Sequence, residues 1–373
     1  MEIDASLVAR VLDLAVTIQQ IPAPPFGEDQ RAAFIHERFH VEGLQEVSSD
    51  DLGNVYGCIP GKGTARPVVI SAHLDTVFPF DTDLQIKREA DKIFGPGIGD
   101  NSLGLAGLFG LTWALRQNQA GKGPLPGDVW LVANVGEEGL GDLRGMRAVV
   151  DRFGAHMLAY LILEGMALGQ VYHRALGVRR YRITVRTAGG HSWVDYGRPS
   201  AIHELAALII KLTALPVPTR PRSSLNVGVI AGGTSVNTIA PTAHLELDLR
   251  SEGTAALASL TRRVEAIVNG AAKPGVEVSL ELIGQRPAGK IPASHPLVRL
   301  VRRVLHGQGV QPNLTVGSTD ANVPLSRSLP AVTLGLSTGF GAHTANEYIS
   351  TQPLFQGLAQ VVEVVEGAFR ELT

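Results

Sequence analysis

The feature that most limits how this chain can fold is a set of apolar runs that all end in the same way. Pro67–Val77 (PVVISAHLDTV), Gly127–Gly139 (GDVWLVANVGEEG) and Leu158–Gly165 (LAYLILEG) each begin as a near-continuous apolar stretch and finish in polar or charged residues. A strand apolar on both faces is covered on both sides, which is the setting of a largely parallel sheet flanked by helices. Polar residues at C-terminal strand ends lie where open α/β sheets place their ligand sites. The opening segment MEIDASLVARVLDLAVTIQQ and the run LGLAGLFGLTWAL, Leu103 to Leu115, read as helices between such strands. The second would cover only about two-thirds of a bilayer core, so it reads as a buried helix and not as a membrane span.

Between about residues 177 and 288 the period changes. RRYRITVRT sets Tyr181, Ile183 and Val185 on one face and Arg180, Arg182 and Arg186 on the other; HLELDLR repeats this at Leu245, Leu247 and Leu249, and VEVSLEL at Val276, Val278, Leu280 and Leu282. Such strands have one buried and one wet face. Helical stretches near Ser200–Thr213 and Thr254–Asn269, with a further strand near Ser224–Ile230, complete a β-α-β-β-α-β order, the split βαβ of ferredoxin-like α+β domains. After about residue 289 helix and apolar strand return, including LPAVTLGL at Leu329–Leu336. The expected organisation is an α/β domain at 1–176 and 289–373, a mixed sheet flanked by helices, interrupted by a smaller domain at 177–288.

A chain of 373 residues is long enough for two domains. Its net charge of −2 gives no global attraction to nucleic acid or anionic membrane, and neither is expected as a partner. The single cysteine, Cys58, allows no internal disulfide and no thiolate metal site. The first residues carry acids where a secretory signal carries positive charge, so a cytoplasmic location is expected.

The chemistry gathers at the strand ends. His73 and Asp75 in SAHLDTV are two apart, so their side chains leave the same face, as in a metal-binding histidine oriented by a carboxylate; the pair reads equally as a structural hydrogen bond. Asp100, in the glycine-rich turn FGPGIGDNSLG, also reads as a helix cap. Glu137 and Glu138 in NVGEEGLGD would repel one another at a strand mouth unless a cation or a proton neutralised them; an exposed acidic loop is the plainer alternative. Glu164 ends LILEG, and His343 lies in GAHTANE after the last apolar strand. His36, His40, His156 and His306 have no comparable setting and read as surface or packing residues. Two histidines and four carboxylates without a thiolate suit zinc, cobalt or manganese, and two such ions would need a bridging carboxylate. Residue types and spacing reach as far as a metallohydrolase.

The succession SAHLDTV, GPGIGDN, GEEG, ILEG and GAHTANE resembles the dinuclear zinc peptidases and deacylases, the group of acetylornithine deacetylase, succinyl-diaminopimelate desuccinylase, glutamate carboxypeptidase, aminoacylase and peptidase T. The resemblance covers essentially the whole chain. It implies two divalent metal ions, zinc with cobalt or manganese as alternatives. His73, Asp100 and Glu164 would hold one ion, and Asp100, Glu138 and His343 the other, with Asp100 as bridge. Asp75 would orient His73, Glu137 would be general base and then acid, and the Asp100–Asn101 bond would be cis. In the inserted domain, His191 of TAGGHSW resembles a histidine that reaches the partner subunit's active site and holds the scissile carbonyl oxygen. Asn237 of GGTSVNTIAP and Arg250 of LDLR resemble residues that bind the substrate's amide and carboxylate, although by pattern Arg250 sits on a solvated face with Glu246 and Asp248. The inserted domain would then be a lid that builds a homodimer.

GSTDANVP near Gly317 and GEEGLGDLRG resemble the peptidase T-like branch, while deacetylases and desuccinylases more often carry arginine where this chain has Asn322. The implied substrate is therefore a small peptide cleaved by a di- or tripeptide exopeptidase, with an N-acyl-amino-acid deacylase as the alternative. A catalytically silent binding protein on the same fold is the remote third reading; all five ligand positions and Glu137 stand against it.

Overall fold

The structure is a computed structural model and describes residues 3–372; residues 1 and 2 of the opening segment lie outside it, as do the side chains of residues 119–122. The chain forms two compact units, one comprising the chain up to Ala175 and from Lys290, the other Leu176–Gly289.

In the first unit the apolar runs become neighbouring strands of a mixed sheet. Its order is Gln45–Ser49, Val55–Ile59, Val129–Asn134, Val68–His73, Ala159–Glu164, Ala331–Gly335, Gln170–Ala175 and Gly289–Lys290, with Asn313–Gly317 also paired to Gln170–Ala175. The four strands from Val129–Asn134 to Ala331–Gly335 run parallel. Val68–His73 and Val129–Asn134 are buried at every position, as strands with both faces covered must be. The register sets His73 opposite Asn134 and Glu164 opposite Gly335, so these residues end their strands on one edge of the sheet.

Helices Ala5–Gln19, Asp29–Val41, Leu103–Lys122, Arg144–Phe153, Pro296–Gly307 and Leu354–Glu371 flank the sheet. Ala5–Gln19 starts where the Asp4 carboxylate accepts from Leu7 N at 2.8 Å, and it buries Leu7, Val8, Val11, Leu14, Ala15 and Ile18, a 3–4-residue repeat facing the core. The run Leu103–Leu115 is buried all round, packed among Ala5–Gln19, Leu354–Glu371 and the Val68–His73 strand. Among the described residues no helix is long and apolar enough to cross a membrane.

The second unit has the strand order Ser223–Gly232, Thr242–Ser251, Gly177–Thr187, Val276–Arg286, antiparallel throughout, with Ala201–Thr213 and Thr254–Asn269 packed on it. Along the chain this is β-α-β-β-α-β. Tyr181, Ile183, Val185, Leu245, Leu247 and Leu249 form its core with Leu205, Leu208, Leu260 and Val264 from the helices. The alternation in Val276–Arg286 fades along the strand. Val276 is buried but Leu282, on the edge strand and still opposite Tyr181, is 43% exposed; the register slips only beyond it, before Gly284. The other edge strand, Ser223–Gly232, leaves Val229 and Ile230 exposed.

Candidate functional site

In the first unit, six acidic and histidine side chains from five separate segments converge at the C-terminal edge of the parallel strands. His73 is buried, with Nε2 at 3.1 Å from Asp100 Oδ1 and 3.7 Å from Glu164 Oε2. His343 reaches the same aspartate from the other side, Nε2 lying 3.0 Å from Asp100 Oδ2 and 3.1 Å from Glu138 Oε1. Asp100 thus presents one oxygen to each histidine. Among the described residues three groups could hold a metal ion: His73 with Asp100 and Glu164, Asp100 with Glu138 and His343, and His73 with Glu137 and Glu138, the donor atoms of each lying within 4.8 Å of one another.

The charge balance tests whether a cation belongs here. Asp100, Glu137, Glu138 and Glu164 bring four negative charges against two histidines, so a deficit remains even with both rings protonated. Like charges about 4 Å apart repel by roughly 4 kcal/mol at an effective dielectric of 20. The protein without metal answers by moving protons. Burial, aided by the charges of Asp100 and Glu137, pushes both Glu138 and Glu164 up to about 7. Hydrogen bonds to Asp100 and Glu138 push His343 up to about 10. Burial works against a charged His73, yet its hydrogen bonds to Asp100, Asp75 and Glu164 hold it well above its ordinary value. Burial likewise opposes an ionised Asp100, but the two histidines draw its carboxyl well below the usual range. Divalent ions would satisfy this donor set without those protons, and two imidazoles with carboxylates and no thiolate fit zinc, cobalt or manganese.

Asp75 couples two parts of the site. It is fully buried, with Oδ1 at 3.5 Å from His73 Nδ1, and its two oxygens accept from Glu137 N at 3.0 Å and Glu138 N at 2.7 Å. His73 Nδ1 also lies 3.0 Å from the Asp75 carbonyl oxygen.

Several residues that build this edge carry no sequence signal of their own. The Asp100–Asn101 bond is cis, and the buried Asn101 amide reaches the strand end beside Glu164, donating to Leu163 O at 2.8 Å and accepting from Gly165 N at 3.0 Å. The glycines around it allow the chain to approach itself. A Cβ on Gly104 would lie 1.9 Å from Asn101 Oδ1, and one on Gly165 would lie 2.2 Å from Gly99 O. Glu347, fully buried and four residues beyond His343, accepts from Gly97 N at 3.1 Å, Gly99 N at 2.7 Å and Asp100 N at 2.8 Å, so it holds the turn that carries Asp100. From the N-terminal segment, Glu28 accepts from Gly136 N at 3.1 Å, and the buried Arg31 guanidinium donates to Leu74 O at 2.8 Å. These two props hold the residues that precede Glu137 and Asp75 in the chain, and burial lowers Arg31 only to about 10, Asp75's charge opposing the shift, so it remains cationic.

The other three sequence-selected residues lie in the second unit. His191 and Asn237 are brought together there: the strands Gly190–His191 and Thr238–Ile239 pair, and Ser192 N donates to Asn237 O at 3.0 Å. His191 Nδ1 accepts from Trp193 N at 3.2 Å and Val194 N at 3.4 Å, which places the ring proton on Nε2 as a donor. Asn237 Oδ1 accepts from Ser235 Oγ at 2.9 Å. Arg250 sits on the Thr242–Ser251 strand with Nε at 2.7 Å from Asp248, in the charged row that also pairs Arg180 with Asp248 and Arg182 with Glu246. Arg250 faces Val178 near the far end of that strand from Thr242, so it stands apart from the His191 and Asn237 loops, in which Trp193, Val194, Tyr196 and Val236 are exposed.

A mixed sheet whose strand ends gather two histidines and three glutamates around one shared aspartate defines a metal-dependent hydrolase of the metallopeptidase class. The chain belongs to peptidase family M20/M25/M40, which its residues 69–369 match. A tripeptidase from Staphylococcus aureus shares the fold with a TM-score of 0.83 at 21% identity, over 98% of this chain and 99% of that one. Aminopeptidase PepT from Bacillus cereus superposes with a TM-score of 0.79 at 22% identity, over 97% of this chain and 98% of the other. Among curated sequences, the succinyl-diaminopimelate desuccinylase of Corynebacterium glutamicum is 26% identical over 244 residues, covering 64% of this chain and 65% of its own length.

Proposed function

We propose that this enzyme hydrolyses an amide bond of a small peptide as a di- or tripeptide exopeptidase, with Glu137 as general base. The observation that carries the reading is Asp100 facing both histidines while the Glu137 backbone is held on Asp75 beside them. His73, Asp100 and Glu164 would hold one divalent ion and Asp100, Glu138 and His343 a second, zinc by this donor set, which when bound would supply Lewis acidity toward the carbonyl and the attacking water. Glu137 takes the water's proton and returns it to the leaving amine. His191 donates from Nε2 to the carbonyl oxygen as negative charge develops there, Asn237 binds the amide, and Arg250, released in part from Asp248, binds the substrate carboxylate. The exposed apolar residues of the second unit support its role as the lid that builds a homodimer, in which His191 acts on the partner's site. The location proposed is cytoplasmic.

Asp75 makes a test of the scaffold. Asparagine at this position keeps the size of the side chain but turns one of its two acceptor oxygens into a donor facing the Glu137 and Glu138 N–H groups. Asp75→Asn is expected to cost about 10–100-fold in metal affinity or turnover, the range for a group that orients a metal-binding histidine. Metal titration beside kcat measures it, and an unaltered variant would contradict the coupling.

The peptide reading is favoured by the Gly317 loop. Asn322 is buried there, and its side chain closes the turn by accepting from Thr319 N at 3.0 Å; no guanidinium stands at that position to anchor an acyl carboxylate. The likeness to a desuccinylase favours the second reading, an N-acyl-amino-acid deacylase. Zinc-loaded protein assayed on di- and tripeptides and on N-acetyl- and N-succinyl-amino acids is expected to release amino acids from the peptides. Cleavage of the acylated compounds alone would make it a deacylase. No turnover of either class by the metal-loaded protein would favour a silent binding protein.

A further inference from the structure

Three residues before Glu137, Asn134 belongs to a polar pair that the reaction scheme leaves unused. Asp320, in the turn before the short helix Asn322–Ser326, is fully buried, as is Asn134 at the end of its strand. Asn134 Nδ2 donates to Asp320 Oδ2 at 2.7 Å. The second oxygen of each group, Asp320 Oδ1 and Asn134 Oδ1, has no hydrogen-bond partner among the described residues. A buried acceptor without a donor is unfavourable, and a carboxylate with one unpaired oxygen more so. One proton satisfies both atoms, because a carboxylic acid and a carboxamide can close a ring, N–H to one carbonyl and O–H to the other.

We infer that Asp320 is a neutral acid in the folded enzyme, locked to Asn134 in this two-armed ring, and that the ring is a positioning device for Glu137. The surroundings agree. Burial, with the negative charges of Glu137 and Asp75, holds the Asp320 carboxyl well above its ordinary range, and the opposing influences of His73 and the Asn134 amide do not reverse this. Asn134 stands three residues before Glu137, and its carbonyl oxygen accepts from Leu74 N at 2.7 Å, between His73 and Asp75. The ring therefore pins the point from which both loops of the site depart. A neutral Asp320 also adds no negative charge against Glu137.

The consequence for Glu137 rests on the base assignment proposed above; the proton on Asp320 does not, and the experiment separates them. Asp320→Asn supplies an amide that closes the same ring with two N–H arms and needs no proton. A carboxyl whose pKa rises on folding from an ordinary 3.8 takes up a proton when the chain folds. Its contribution to stability is greatest below that ordinary value and is lost as pH rises toward the folded one. The variant lacks this loss. In metal-loaded protein the Tm of D320N minus that of the parent is expected to widen steadily from about pH 5 to about pH 8. A difference that stays flat or narrows overturns the inference. So does a D320N chain that fails to fold, since an amide completing both arms must be accepted.

For the positioning role, Asp320→Leu is expected to lower kcat on the order of tenfold, with Asp320→Asn recovering most of the loss and keeping the acid limb of the kcat profile in place. Equal loss in both variants, or a shifted acid limb in D320N, overturns that role.

Discussion

Glu137→Gln is expected to lower kcat by about 10²–10⁴-fold, the usual contribution of a positioned general base, while metal content stays at the parent's level. Glutamine has glutamate's shape but cannot accept the water's proton. The main-chain N–H of residue 137, bonded to Asp75 Oδ1 at 3.0 Å, is untouched by the substitution, so the loop keeps its anchor. The neighbouring Glu138 side chain still faces His343 at 3.1 Å. A loss of rate without a loss of metal is thus the signature of a base, and elemental analysis beside steady-state kinetics reads both. A variant that turned over normally would remove Glu137 from the chemistry. One that lost metal in parallel would make it a ligand, as the alternative grouping of His73, Glu137 and Glu138 permits.

Asp100→Asn should have the broadest effect on metal content. Asp100 offers one oxygen to the His73 side at 3.1 Å and the other to the His343 side at 3.0 Å. Asparagine replaces one of the two with an amide nitrogen that donates instead of coordinating, and it removes the charge both groups share. The expected loss of metal affinity exceeds the roughly 10–100-fold of an orienting residue such as Asp75, and turnover falls with it. Glu164→Gln, touching one group only, should leave the other ion in place. Dialysis against buffer followed by metal counting distinguishes these patterns. If Asp100→Asn retained both ions, Asp100 would not be the bridge.

Much of this was legible in the sequence because a strand period and a ligand motif are both local. His73, Glu137, Glu138 and Glu164 follow apolar runs, and a run that ends in acid or histidine declares itself. His343 and Asp100 were readable through the glycine-rich motifs that contain them. The scaffold of the site was not, because its signals are long-range and chemically bland. Asn101 is one amide next to an aspartate, yet it ties the turn to Leu163 and Gly165, more than sixty positions away. Glu347 serves backbone N–H groups some 250 positions earlier, and nothing in GAHTANE distinguishes an acid of that kind from a solvated one. Arg31 and Glu28 lie outside every motif and apolar run that marks the site, so nothing local singles them out. Leu282 shows the opposite failure: the alternation continues in the sequence, and the residue still pairs opposite Tyr181, but on an edge strand it is left exposed.

The strand order also bears on how such a protein is made. Ala159–Glu164 and Gln170–Ala175 are consecutive in the chain but do not pair with each other; Ala331–Gly335 lies between them, parallel to the first and antiparallel to the second. A nascent chain that has just released Ala175 therefore holds an open edge on Ala159–Glu164 and a wholly unpaired Gln170–Ala175, and the strand that joins them emerges about 155 residues later, after the whole of Leu176–Gly289. Throughout that interval the half-built sheet presents unpaired backbone to any passing strand. Glu164, on the lip of the gap, waits with it, and so does its pairing with the C-terminal segment that brings His343 and Glu347. Translation order thus leaves the reactive centre incomplete until His343 and Glu347 have emerged, and makes the interval before residue 331 one in which the chain is exposed to its own copies.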